Sequence, residues 1–285
     1  MRVKGLFIVF LVLIASISVF AQAGKPLGKW ATFEGTKIHY LDIGNKKTKN
    51  ALVLVHCWTC NSDFWKDSIN AFPNYRVIAM DLPGHGESDK PKRDYSMDYF
   101  ARSVDAVIRK AGVKKALLVG HSMGTPVIRK YYEMYPDKTL GLVVVDGALL
   151  PFGPRAQIDQ FFDPLFKDYK NAAVTFIDGM LQPADPKVRP FIRASMLATP
   201  DYVAQSAMKL MLDDAYAQHG KIGVPVLAVM APSPLWPNDL EAQYRAIAPN
   251  LDFKAWSGVS HFLQMERPEM FNGQVNEFII KNKLL

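Results

Sequence analysis

Five short apolar runs constrain the fold of this chain more than anything else in it. Leu52–His56, Val77–Met80, Ala116–Val119, Leu142–Val145 and Pro225–Met230 each lack the polar alternation of a strand with one wet face. Runs of this kind suit strands covered on both sides, as in a parallel sheet between two layers of helices. Helical periodicity lies between them, notably over Met97–Ala111 and Thr125–Tyr135. Strand and helix in alternation predict an α/β architecture, a mostly parallel sheet with helices on both faces. Ahead of the first run, Ala31–Phe33 and Lys37–Leu41 flank Glu34-Gly35-Thr36 and read as an antiparallel hairpin.

The alternation stops near Pro151 and resumes near Gly223. In between, apolar residues recur at helical spacing (Phe161, Phe162, Leu165, Phe166; Phe176, Ile177, Met180, Leu181; Met208, Leu210, Met211, Leu212), and prolines such as Pro164, Pro183, Pro190 and Pro200 cut the stretch into short helices. The expected organisation is a core at 24–150, a helical insertion at 151–222 and the remainder of the core at 223–285.

The N-terminus reads as an export signal. Arg2 and Lys4 precede an apolar stretch from Leu6 through Phe20, and the small residues Ala21 and Ala23 offer cleavage points. That pattern predicts a signal peptide at 1–21, with the cut alternatively after 23, and an exported mature chain, periplasmic or secreted. No later apolar run is long enough to span a bilayer, so no stable membrane span is expected once the signal is removed. The formal charge of +7 comes from single charges and short pairs such as Lys46-Lys47 and Lys114-Lys115 rather than a basic tract. A nucleic-acid partner is therefore not expected.

The two cysteines, Cys57 and Cys60, have C-x-x-C spacing. No second Cys or His pair completes a zinc site, so neither metal nor cofactor is implied. In an exported chain the pair is open to oxidation. A three-residue separation closes a tight ring, however, and packed free thiols are the expected state, with a disulfide as the alternative.

The chemistry is concentrated at Gly120-His121-Ser122-Met123-Gly124, between the Ala116–Val119 strand and a helical stretch. G-x-S-x-G in a strand–turn–helix context places a serine on a sharp turn, with glycines relieving the crowding around it. Near the C-terminus, His261 lies in Gly258-Val259-Ser260-His261-Phe262, beyond a strand candidate at Asp252–Trp256. A serine hydroxyl is a weak nucleophile near neutral pH and needs such a base. His39 and His219 carry no comparable context.

On these residues the chain resembles the α/β-hydrolase superfamily over essentially all of its mature length. Asp81-Leu82-Pro83-Gly84-His85-Gly86-Glu87-Ser88 is similar to the family's loop after the fourth strand, and His56 to the start of its His-Gly oxyanion loop. The resemblance implies that 151–222 caps the active site. It also implies that the backbone N–H groups of Met123 and Trp58 form an oxyanion hole, and that His85 and His121 shape loops. The chain departs from the family in two places. Cys57 replaces the glycine after His56. The position after Pro225–Met230, where the family usually keeps its triad acid, reads Ala231-Pro232-Ser233-Pro234 and holds no carboxylate until Asp239. Some relatives carry the acid after the preceding strand, where Asp146 stands. Asp146 is the expected triad acid, with Asp239 as the alternative; both keep the Ser…Asp…His order.

The expected activity is hydrolysis of a carboxylic ester of a small or medium apolar substrate through an acyl-enzyme. Serine at 122 argues against the dehalogenases and epoxide hydrolases that the fold also resembles, which use aspartate there. Carbon–carbon bond hydrolysis and cofactor-free perhydrolysis use the same triad and are the alternatives within the fold. A catalytically weak protein binding a small apolar ligand is the alternative of another class.

Overall fold

The computed structural model describes residues 27–151, 155–212 and 220–285. The expected signal peptide, and with it the basis for export, lies outside the described residues, as does His219. In chain order the elements are β1 (Lys29–Phe33), β2 (Thr36–Gly44), β3 (Asn50–Val55), β4 (Arg76–Met80), α1 (Met97–Lys110), β5 (Lys115–His121), α2 (Gly124–Met134) and β6 (Thr139–Val145). Among the described residues, four helices and no strand follow: α3 (Arg155–Lys167), α4 (Tyr169–Met180), α5 (Arg189–Leu197) and α6 (Asp201–Met211). The chain then returns through β7 (Val226–Met230), α7 (Leu240–Ile247), β8 (Leu251–Ala255), α8 (Leu263–Glu266) and α9 (Pro268–Asn282).

The strands form one sheet in the order β1-β2-β4-β3-β5-β6-β7-β8. The β1–β2 and β2–β4 pairings are antiparallel, and every pairing from β4 to β8 is parallel. Two separate apolar layers explain why the central strands read as unbroken hydrophobic runs. Val53, Leu118 and Val144 face one layer with Val104 of α1 and Val127 of α2. Leu54, Val119 and Val145 face the other with Phe271 and Phe278 of α9. Alternate residues of each strand thus enter opposite layers, and both layers are dry.

β3 lies between β4 and β5, so the chain departs from it first to one side and then to the other. Ligands of open α/β sheets bind at such a reversal, in the crevice beyond the C-terminal strand ends. The α3–α6 insertion stands over this edge, and buried Arg129 of α2 ties down both ends of it. Its guanidinium donates to Leu149 O at 2.6 Å and to Gly220 O at 3.0 Å. Among the described residues no helix is long and apolar enough to cross a membrane.

Candidate active site

Neighbouring strands end in register at the open edge of the sheet. His121 of β5 pairs with Val145 of β6, which pairs with Val229 of β7. The ladder runs one residue further, Ser122 N–H donating to Val145 O and Asp146 N–H to Val229 O, each at 2.9 Å. Both chains then turn sharply: Ser122 has φ 51° and Asp146 φ 40°, in the left-handed region that residues with a Cβ rarely occupy. Strain of this kind costs about 1–3 kcal/mol and concentrates at functional sites. The elbow around Ser122 has room for glycine alone on either side. A Cβ on Gly120 would run into the Gly124 carbonyl, and one on Gly124 into the Val55 carbonyl.

His261 follows β8 and reaches back across the strand ends. Its Nδ1 lies 2.6 Å from Asp146 Oδ2, with the Asp146 side chain almost fully buried and the His261 ring partly open. A carboxylate only accepts, so Nδ1–H donates and Nε2 is left free of that bond. Asp239, the alternative acid, stands exposed at the start of α7, where its carboxylate accepts from Gln243 Nε2 at 2.9 Å. The loop after β7 serves the carboxylate in a different way from the family pattern. It supplies donors, Ala231 N–H at 2.9 Å and Trp236 Nε1–H at 3.2 Å, both to Asp146 Oδ1. Tyr244 holds the next residues, its hydroxyl donating to Gly147 O at 2.8 Å and accepting from Leu149 N–H at 3.0 Å. Sequence reasoning missed Trp236 and Tyr244, because their roles depend on which strands are neighbours.

The loop that carries His261 is held from below. His121 Nε2–H donates to His261 O at 2.8 Å, and His121 Nδ1 accepts from Gln264 Nε2 at 3.2 Å. Ser260 N–H donates to the Glu266 carboxylate at 2.9 Å. On the other flank, His56 Nδ1–H donates to Cys57 O at 2.8 Å and Nε2 accepts from Leu82 N–H at 2.9 Å. Asp81 accepts from Ser62 N–H, His39 Nδ1 and Glu87 N–H. Burial alone would raise the Asp81 carboxyl, but these bonds and the nearby His56 outweigh it and hold it down to about 2.

The buried imidazoles of His56, His121 and His85 make the fold acid-sensitive. Burial pushes His56 below its ordinary value, His121 well below it and His85 down to about 3. Below about pH 6.5 the unfolded chain therefore binds protons that the folded chain does not, and stability falls as pH falls. Each proton so excluded from the folded chain is worth about 1.4 kcal/mol per pH unit. The urea midpoint is expected to drop steadily from about pH 7 to about pH 5, and more gently in His85→Gln. A midpoint that does not move over that range contradicts the assignment.

The cysteine expectation is corrected. Cys57 and Cys60 form a disulfide, their Cα atoms 5.2 Å apart. The turn between them, closed by Cys60 N–H donating to Cys57 O at 3.2 Å, supplies the proximity that spacing alone did not reveal. Trp58 sits in this turn, its indole N–H donating to Ala204 O of α6 at 2.7 Å. Met123, the other expected oxyanion donor, directly precedes α2 with its side chain buried. Its main chain is at the positive end of that helix.

Ser122, Asp146, His261, Cys57 and Trp58 line one cavity of about 960 Å³. The insertion contributes Phe162, Leu165, Phe176, Met180, Met208 and Met211 to its wall, and the loop after β7 contributes Leu235 and Trp236. Among the described residues, no group of three or more His, Cys, Asp or Glu side chains is arranged to hold a metal ion.

A sharp serine turn after the fifth strand of a mostly parallel sheet, under a helical insertion, defines a class of protein, and the comparisons agree. The profile of the alpha/beta hydrolase fold matches residues 50–274, and the chain belongs to that family. It is 30% identical to a bifunctional esterase/perhydrolase of Acinetobacter calcoaceticus over 154 residues, 50% of this chain and 55% of that protein. The match thus spans about half the length of that relative. Identity to a non-heme chloroperoxidase of Streptomyces lividans is 25% over 284 residues, 89% of this chain and 99% of that protein. Among solved structures, an esterase from Exiguobacterium antarcticum superposes with a TM-score of 0.79 at 20% identity, covering 89% of this chain and 99% of its own. At that identity the likeness concerns the fold.

Proposed function

We propose that the protein hydrolyses carboxylic esters with an apolar acyl or alcohol group, through an acyl-enzyme on Ser122. The observation that carries this reading is the Asp146–His261 contact at the wall of the cavity that Ser122 also lines. Ser122 Oγ attacks the ester carbonyl while His261 Nε2 takes the hydroxyl proton. Asp146 keeps the imidazole in the required tautomer and stabilises the imidazolium. The N–H groups of Met123 and Trp58 receive the negative oxygen, each worth about 3–4 kcal/mol in the transition state. His261 then returns the proton to the leaving alkoxide and, in the second half-reaction, activates the water that releases the acid. Hydrogen peroxide in place of that water gives a peracid, a branch supported by the similarity to the bifunctional esterase/perhydrolase. The charged start and apolar stretch at 1–21 support an exported enzyme.

A graded series of p-nitrophenyl esters, from acetate to decanoate, tests the reading. Each buried methylene contributes about 0.8 kcal/mol, so kcat/KM is expected to rise about fourfold per methylene until the apolar wall is filled. Met180→Gln keeps the volume of a wall residue but adds an amide to desolvate. It should raise KM for the longer esters by about tenfold and leave acetate and the melting temperature nearly unchanged. Buffer-rate hydrolysis of every ester in the series sinks the proposal.

A further inference from the structure

The turn that carries Trp58 is built on unfavourable residues. Thr59, its third residue, has φ 55°, where turns of this kind usually hold glycine and where a β-branched side chain is an outlier. Thr59 is fully buried, and its Oγ1 has no hydrogen-bond partner among the described residues. The side chain therefore returns nothing through hydrogen bonding for the conformation imposed on it. Cys57 occupies the position where the resemblance leads one to expect glycine. A turn so composed tends to relax, yet the disulfide spans its two ends and Cys60 N–H closes it.

Other contacts hold the same turn in place. The Cys57 carbonyl also accepts from His56 Nδ1–H at 2.8 Å, and the Thr59 carbonyl accepts from Thr199 Oγ1–H of the insertion at 3.0 Å. The Trp58 ring is edge-on to Tyr169 and Phe176 of α4, with centroids 6.4 and 5.6 Å away. The Trp58 N–H lies in one planar peptide with the Cys57 carbonyl, so whatever holds that carbonyl also aims the N–H. The bond from Cys60 N–H exists only while the turn is closed, and the disulfide is the covalent link that keeps it closed.

We infer that the Cys57–Cys60 disulfide is a positioning element for catalysis, holding the Trp58 N–H where the oxyanion forms. The inference rests on Trp58 being an oxyanion donor in the ester hydrolysis proposed above. Displacing one donor by about an ångström costs on the order of a hundredfold in rate, whereas ground-state binding in the apolar cavity does not depend on it.

The test compares wild type, Cys57→Ser/Cys60→Ser and the same pair with Thr59→Gly on one ester of the series. The double variant should lose about tenfold to a hundredfold in kcat with KM within about twofold, and fluorophosphonate labelling of Ser122 should slow in parallel while reaching the same end point. Thr59→Gly lets the turn form without its covalent link, and it should restore most of the lost kcat. Because glycine also removes the strain that opposes folding, the triple variant serves as the test if the double variant is not recovered folded; its kcat should then lie near that of wild type. An unchanged kcat in a folded double variant overturns the inference, as does a low kcat in the folded triple variant. Two alkylated thiols in wild type without prior reduction overturn it as well. Wild-type turnover that Ser122→Ala abolishes, combined with an unchanged double variant, rejects this inference and leaves the ester hydrolase reading standing. Turnover surviving Ser122→Ala rejects that reading itself.

Discussion

Ser122→Ala and His261→Ala are each expected to lower kcat by about 10⁴–10⁶-fold without unfolding the protein. Ser122 and His261 act in one step, so removing both should cost little more than removing either. The fold should survive because neither hydroxyl nor imidazole closes the core. Ser122 is anchored through its main chain, N–H to Val145 O and carbonyl to Thr125 N–H, and alanine retains both bonds. His261 is partly open to the cavity, and its main chain is held through His121. The measurement is turnover of one p-nitrophenyl ester alongside thermal melts, with a fluorophosphonate probe reporting on the serine. Labelling of native wild type, absent after denaturation and in Ser122→Ala, identifies the nucleophile. Near-normal esterase activity in Ser122→Ala removes the mechanism altogether.

The parts of this molecule that were legible in the sequence are those set by local pattern. Val53, Leu118 and Val144 enter one apolar layer while Leu54, Val119 and Val145 enter the other, and dry layers on both faces leave a signature along each strand. The serine elbow was equally legible, since Gly120 and Gly124 are demanded by contacts with near neighbours in the chain or on the adjacent strand. What depends on strand order is not set by spacing; the expectation of Asp146, which the structure brings to His261, comes from the resemblance and from the empty position after β7. Whether a carboxylate after β6 or one after β7 can meet His261 is decided by β6 lying between β5 and β7 and by the path of the β7 loop, neither of which spacing encodes. Trp236 is an ordinary loop tryptophan until that loop is folded over Asp146. The cysteine pair reads as free thiols for a related reason: a three-residue separation says nothing about the turn between, and nothing in the identity of Thr59 announces its glycine-like conformation.

Asp146→Asn should reduce kcat near neutral pH by about 10⁴-fold, and Asp239→Asn should change it only slightly. Asparagine suits the site in every respect but one. It tolerates the positive φ of Asp146, and its carbonyl oxygen can still accept from Ala231 N–H and Trp236 Nε1–H. Its amide nitrogen then faces His261 Nδ1 and donates where the carboxylate accepted. The ring nitrogen must in turn accept, the proton moves to Nε2, and the base presents an N–H to the Ser122 hydroxyl that it should deprotonate. The imidazolium formed in the transition state also loses its counter-charge. Asp239 has neither relation to His261: it is exposed, and its carboxylate receives a donor from within α7. Asparagine keeps an oxygen that can still accept from Gln243 Nε2, so only the negative charge at the start of α7 is lost, which should cost a few tenths of a kcal/mol of helix stability and leave turnover near the wild-type rate. Both variants assayed side by side, with melting temperatures to confirm folding, decide between them. A steep loss in Asp239→Asn with a mild one in Asp146→Asn would assign the acid to the loop after β7 and require that loop to rearrange during turnover.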